Sequence, residues 1–118
     1  MTLAAAILAV LLALIFLALG AAKILAVQPM RELAAEAGFS VAAYRRIGLL
    51  EAAGAIGLLV GLIEPLIGTL AGAGLLLLLG GAVVVHLRKG DGPRKYAPAV
   101  VCGLLVVGYL ALHLMAAR

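Results

Sequence analysis

Four long stretches of the chain carry almost nothing but apolar side chains, and short polar segments separate them. The first covers residues 3–27 and is broken only by Lys23. The second, 41–63, contains Arg45, Arg46 and Glu51. The third, 66–87, has a single histidine, His86, and the fourth, 97–117, carries His113. Each has about the 20 residues that a helix needs to cross a hydrocarbon core about 30 Å thick. Only helices and closed barrels satisfy their backbone in lipid, and continuous runs of this length are helices. The pattern predicts an all-α integral membrane protein: a four-helix bundle forming one domain over residues 1–118.

The polar segments refine this picture. Between the first two runs, Pro29 suits the first position of a helix and Gly38 its stop. Met30, Leu33, Ala34 and Ala37 recur at helical spacing, while Arg31, Glu32 and Glu36 face away. This predicts a short amphipathic helix lying at the membrane interface, with Ser40 capping the next helix. Glu64-Pro65 makes a tight connection between the second and third runs. Residues 88–96, with Pro93 and two glycines, make a basic turn between the third and fourth. The first run lacks a positive n-region and exceeds the usual signal-peptide core, so it reads as a retained helix.

Composition narrows the class. The 118 residues are 67% apolar and 12% charged, with a mean hydropathy of +1.31, against about 45–50% and about 25% in soluble domains. A soluble enzyme, a disordered tail and a free nucleic-acid-binding module are excluded. The net charge of +4 therefore points to membrane topology and not to nucleic acid. Arg31, Arg45, Arg46, Arg88, Lys89, Arg94 and Lys95 lie in or beside two connections, with Lys23 nearby. The opposite side has Arg118 and the N-terminal amine. By the positive-inside rule both termini face away from the cytoplasm. Richness in Ala, Gly and Leu, with no Asn, suggests a bacterial plasma (inner) membrane. Cys102 is the single cysteine, so no disulfide forms within the chain, and its apolar neighbours mark it as an inert core thiol.

Helix association in lipid relies on close packing. Gly54, Gly57 and Gly61 line one face of the second span, and Gly68 and Gly72 one face of the third. Packing within the chain is the simpler use of these faces; a homodimer or a groove for another protein's helix is the alternative.

Ionisable groups inside spans need a partner or a task. Lys23 lies four residues before Val27, about 6 Å along the axis, and Glu51 five residues beyond Arg46, about 7.5 Å. These depths match, and His86 is near the same level. The expectation is a polar intramembrane cluster of Lys23, Glu51 and His86 with Arg45 or Arg46 above it. It serves either to fix helix register or as a ligand, proton or partner site. On the other side Glu64 and His113 could approach each other. Two histidines at opposite membrane levels cannot share a metal. No catalytic, cofactor-binding or metal-binding constellation is visible.

Gly20-Ala-Ala-Lys23, Arg45-Arg-Ile-Gly-Leu-Leu-Glu51-Ala-Ala-Gly54 and His86-Leu-Arg-Lys-Gly-Asp-Gly-Pro-Arg-Lys-Tyr96 together resemble the DoxX-like family of small four-helix membrane proteins. The chain is also similar to NACHO, an animal endoplasmic-reticulum chaperone of acetylcholine receptor assembly that carries a DoxX-like domain. The resemblance implies family equivalents for Lys23, Gly48, Glu51, His86, Gly90, Asp91 and Tyr96. It implies a non-enzymatic protein without a cofactor, surrounded by membrane lipid, that binds or assists assembly of other membrane proteins. The alternatives are an accessory subunit of a quinone-linked sulfur or redox system, and a small proton-coupled transporter.

Overall fold

The computed structural model describes residues 2–116, and all regular structure in that range is helical: α1 (Leu3–Ile24), α2 (Gln28–Ala37), α3 (Val41–Val60), α4 (Pro65–Arg88) and α5 (Pro93–Ala116). The ends of the helices follow local chemistry. Thr2 Oγ1 accepts the Ala5 N–H at 3.1 Å and Ser40 Oγ accepts the Ala43 N–H at 3.0 Å, capping α1 and α3. Pro65 and Pro93 open α4 and α5, where a missing N–H costs nothing. Gly38 ends α2 with φ +79°, a left-handed conformation that glycine adopts freely.

Three boundaries differ from the apolar runs. The first run bends at its end, where Ala26 takes φ +52° and leaves Ile24 as the last residue of α1. The second run stops being helical at Val60, because Gly61–Ile63 turn towards Pro65. The fourth helix begins at Pro93, four residues before its apolar run, since the basic turn supplies its first turn. Ala117, Arg118 and the N-terminal residue, used above for the last span and for orientation, lie outside the described residues.

Helices α1, α4 and α5 are each long and apolar enough to cross a membrane. Helix α3 is 20 residues long but carries Arg45, Arg46 and Glu51 in its first half. Helix α1 packs on α3, α3 on α4, α4 on α5, and α5 returns to α1. Glycine neighbours set the directions. Gly20 lies against Ala52 and Gly48 against Ile24, so α1 and α3 are antiparallel. Gly54 faces Leu75, Gly57 faces Ala71 and Gly61 faces Gly68, so α3 and α4 are antiparallel as well. Leu12 and Phe16 of α1, Ala55 and Leu58 of α3, Leu75 of α4, and Val106 and Tyr109 of α5 form the shared interior. The outer faces remain apolar: Leu77 is 79% exposed and Leu104 67% exposed. An interior this thin beneath so apolar an exterior suits lipid as solvent.

Candidate functional site

The first contact to explain is the crossing of α1 and α3. A Cβ built on Gly48 would lie 2.8 Å from the Gly20 carbonyl oxygen, and one built on Gly20 2.7 Å from the Gly48 oxygen. Both positions must lack a side chain for the backbones to come this close. Beside this crossing, Lys23 Nζ stands 2.7 Å from Glu51 Oε1, with both side chains almost fully buried. The approach is an ion pair and not an aligned hydrogen bond, since Glu51 Oε1 accepts none. The Lys23 ammonium also lies 5.3 Å from the centroid of the Tyr44 ring, whose π face attracts a cation. Met30 and Ala34 of α2 close the same corner. The crevice they line with Lys23 and Tyr44 is too narrow for water. The ammonium is thus held by a carboxylate, an aromatic face and the roof that α2 provides.

The other expected members of the cluster lie elsewhere. His86 Nδ1 is 2.8 Å from Asp91 Oδ2, in the turn after α4, and Lys89 Nζ is 3.8 Å from the same oxygen. The register of the α3–α4 glycine contacts sets Glu51 opposite Leu78, so His86 lies about 12 Å beyond that level. Helix α4 packs on α3 and α5, whereas Lys23 is on α1. Gly90 allows the local pairing through φ +75°, which turns Asp91 back towards the helix end. The hydrogen bond from His86, with lesser help from Lys89, holds the Asp91 carboxyl below its ordinary pKa of 3.8. Arg45 and Arg46 are exposed and make no ion pair among the described residues. Tyr96 is half-buried in the first turns of α5. Lys95 Nζ meets Glu36 Oε2 at 3.1 Å, an exposed tie between α5 and α2.

The glycine faces are used within the chain. Gly54, Gly57, Gly61, Gly68 and Gly72 all meet side chains or backbone of α3, α4 or α5, although Gly54 and Gly57 also border an open crevice between α3 and α4. On the expected α2 stripe, Ala34 is buried and Met30 and Ala37 are half-buried, but Leu33 is exposed.

The opposite end of the molecule holds a second polar group. His113 Nε2 donates to the Pro65 carbonyl at 2.7 Å, which fixes its tautomer. Its ring stacks on Tyr109, with centroids 5.1 Å apart. The Tyr109 hydroxyl is buried against Gly68 and has no hydrogen-bond partner among the described residues. His113 therefore reaches the backbone beside Glu64 and not its carboxylate, which is exposed. Sequence reasoning missed Tyr109; the signal was its i, i+4 spacing to His113. Cys102 is a half-buried free thiol on α5. Among the described residues, no three His, Cys, Asp or Glu side chains converge as a metal site would require.

Comparison with family profiles matches residues 7–108 to the DoxX-like family, a stretch that takes in Lys23, Gly48, Glu51 and the His86–Asp91 turn. The chain belongs to the DoxX-like family. As a DoxX-like protein with three strongly apolar helices, it is a membrane protein. The DoxX-like match ends at Gly108, so the ion pair falls inside it and Tyr109 and His113 just beyond. No curated protein and no solved structure matches the chain, and nothing in the comparisons carries a likeness to NACHO.

Proposed function

We propose that this DoxX-like protein is a non-enzymatic membrane component that binds other membrane proteins and assists their assembly, a NACHO-like role. In this reading α1, α3, α4 and α5 all cross as a four-helix bundle, and α2 lies along the cytoplasmic interface. Both termini then lie outside the cytoplasm of a bacterial inner membrane. The observation that carries the reading is the sealed Lys23–Glu51 pair, at 2.7 Å under α2. A charged pair inside a span that is locked by glycine backbones on both sides holds helix register, which is the task of a scaffold. The 20 residues of α3 make about 30 Å of helix, enough for the hydrocarbon core. The longest dimension of the molecule is 43 Å, comparable with a whole bilayer of about 40–45 Å. Helix α2 leaves Glu32, Leu33 and Ala35 exposed, a mixed polar and apolar face for a partner at the membrane surface.

Photocrosslinking from Leu33 in native membranes, followed by mass spectrometry, tests the role. Recovery of a membrane protein that is lost with Glu32→Arg or Leu33→Asp supports it. Crosslinks to lipid alone overturn it. A C-terminal phosphatase fusion tests orientation: activity outside the cytoplasm is expected, and cytoplasmic fluorescence from the matching fusion overturns it.

A further inference from the structure

The contact between α3 and α4 is uneven along its length. Near their shared turn the two helices are as close as backbones allow: a Cβ on Gly61 would lie 2.5 Å from Gly68 Cα. Contact continues at Gly57 with Ala71 and at Gly54 with Leu75. Cβ atoms built on Gly74, Gly80 and Gly81 would meet nothing within 4 Å. Beside this contact the helices leave an open crevice of about 550 Å³ on the outer face of the molecule. Its walls are Leu50, Ala53 and Gly57 on one side and Leu70, Gly74 and Leu77 on the other, and no lining residue is polar. It extends along α4 from Ile67 to Leu78, about 16 Å at the helical rise.

Like charges stand beyond one end of the walls. Arg46, Leu50, Ala53 and Gly57 recur every three or four residues and so share one face of α3. Leu70, Gly74, Leu77, Gly81, Val84 and Arg88 do the same on α4. Because the helices are antiparallel, Arg46 and Arg88 lie beyond the same end of the crevice, about 6 Å past Leu50 and about 15 Å past Leu78 along their helices. Both are exposed, and neither makes an ion pair among the described residues. An apolar slot with two guanidinium groups beyond one of its ends complements a molecule with a long hydrocarbon tail and an anionic head. Arginine binds phosphate oxygens through its planar fork. A partner helix, about 10 Å across, would rest on the rims of so narrow a slot without filling it.

We propose that the α3–α4 crevice seats one acyl chain of an anionic phospholipid, whose phosphate is bound by Arg46 and Arg88. The inference rests on the reading of α3 as a membrane-crossing helix. The test is native mass spectrometry of the detergent-purified protein with equal amounts of dipalmitoyl phosphatidylglycerol and phosphatidylcholine. The parent protein should retain one phosphatidylglycerol at about thirtyfold preference, the size of two basic contacts at a lipid surface. Gly74→Phe, which fills the slot where no neighbour is touched, should abolish retention of both lipids. Arg46→Gln with Arg88→Gln should keep retention and lose the preference. Millimolar inorganic phosphate should not displace the bound lipid. Undiminished retention by Gly74→Phe, an undiminished preference in the double variant, or displacement by phosphate overturns the proposal. So does a two-chain species that Gly74→Phe removes, which would assign the crevice to a second copy. Failure of the crossing itself is read separately. In a Cys102→Ala background, Ile56→Cys on the exposed face of α3 should resist an impermeant maleimide in intact membranes. Labelling there would sink the membrane reading whatever the lipid result.

Discussion

Two glycine-built contacts hold this molecule, and they differ in what they enclose. At one end, Gly20 and Gly48 bring α1 and α3 together around a lysine and a glutamate. At the other, Gly61 and Gly68 bring α3 and α4 together beneath Tyr109 and the His113–Pro65 hydrogen bond. The first encloses full charges, the second an aromatic pair and a carbonyl. Removing one partner of a buried ion pair strands a charge and costs about 3–5 kcal/mol, because its desolvation is no longer offset. Removing one side of a neutral hydrogen bond costs about 1 kcal/mol. The comparison teaches that similar glycine packing can support a contact that must stay whole and a contact that can be trimmed.

The most severe way to break this comparison is Gly48→Leu. Its Cβ would lie 2.7 Å from Lys23 Cβ and 2.8 Å from the Gly20 oxygen, so the protein should fail to accumulate in membranes as a folded monomer. Next comes Glu51→Ala, expected to lower stability in detergent by about 3–5 kcal/mol, read from thermal or denaturant unfolding. Joining Lys23→Met to Glu51→Leu should recover most of that loss, since an apolar pair strands no charge. Glu64→Gln, at an exposed turn, should leave unfolding unchanged. If Glu51→Ala and Glu64→Gln prove equal, the contrast between the two ends fails.

Smaller effects sharpen the comparison. Gly68→Ala pushes a methyl onto the Tyr109 hydroxyl and should destabilise by about 1–3 kcal/mol. Gly80→Ala meets open space and should stabilise by about 0.5–1 kcal/mol through helix propensity. His113→Leu should cost about 1 kcal/mol, because the Pro65 carbonyl still accepts the Thr69 hydroxyl at 3.2 Å. The mildest effect concerns the turn after α4. Asp91 has its pKa lowered by His86 in the folded protein. Its contribution is therefore complete above the ordinary carboxylate range and is lost as pH falls below 3.8 through the lowered value. Amide exchange at Gly90 should rise over that acid window, and Asp91→Asn should remove the rise. A rise that persists in the Asn variant would assign it to another group.

The sequence made some of this legible through one-dimensional quantities. Run length located the four long helices, and Ser40, Pro29 and Gly38 located α2, because caps and stops are local chemistry. Depth arithmetic brought Lys23 and Glu51 to one level, and they are in contact. The same arithmetic placed His86 there wrongly, because it took Arg46 and Arg88 to mark one level, whereas α4 runs several residues beyond Arg46 in the register that sets Gly54 against Leu75. The use of the glycine faces was legible only as small-residue spacing. Their division into filled contacts, such as Gly68, and open ones, such as Gly74, depends on which face of α4 meets its neighbours. Ala26 had no signal at all, since alanine is an ordinary helix former and its left-handed backbone follows from how α2 must fold under α1.

That alanine has a consequence for how the molecule comes apart. A left-handed residue with a Cβ costs about 1–2 kcal/mol, and this one sits three positions past Lys23 with its carbonyl held by Arg31 Nε at 2.8 Å. Letting go of the ammonium would free the corner to unwind, so electrostatic release and backbone relaxation pull the same way. The seam between α1 and α2 should accordingly be the first to part when the protein is warmed. Residues 28–37 should peel away as a unit while the lipid-embedded helices still hold.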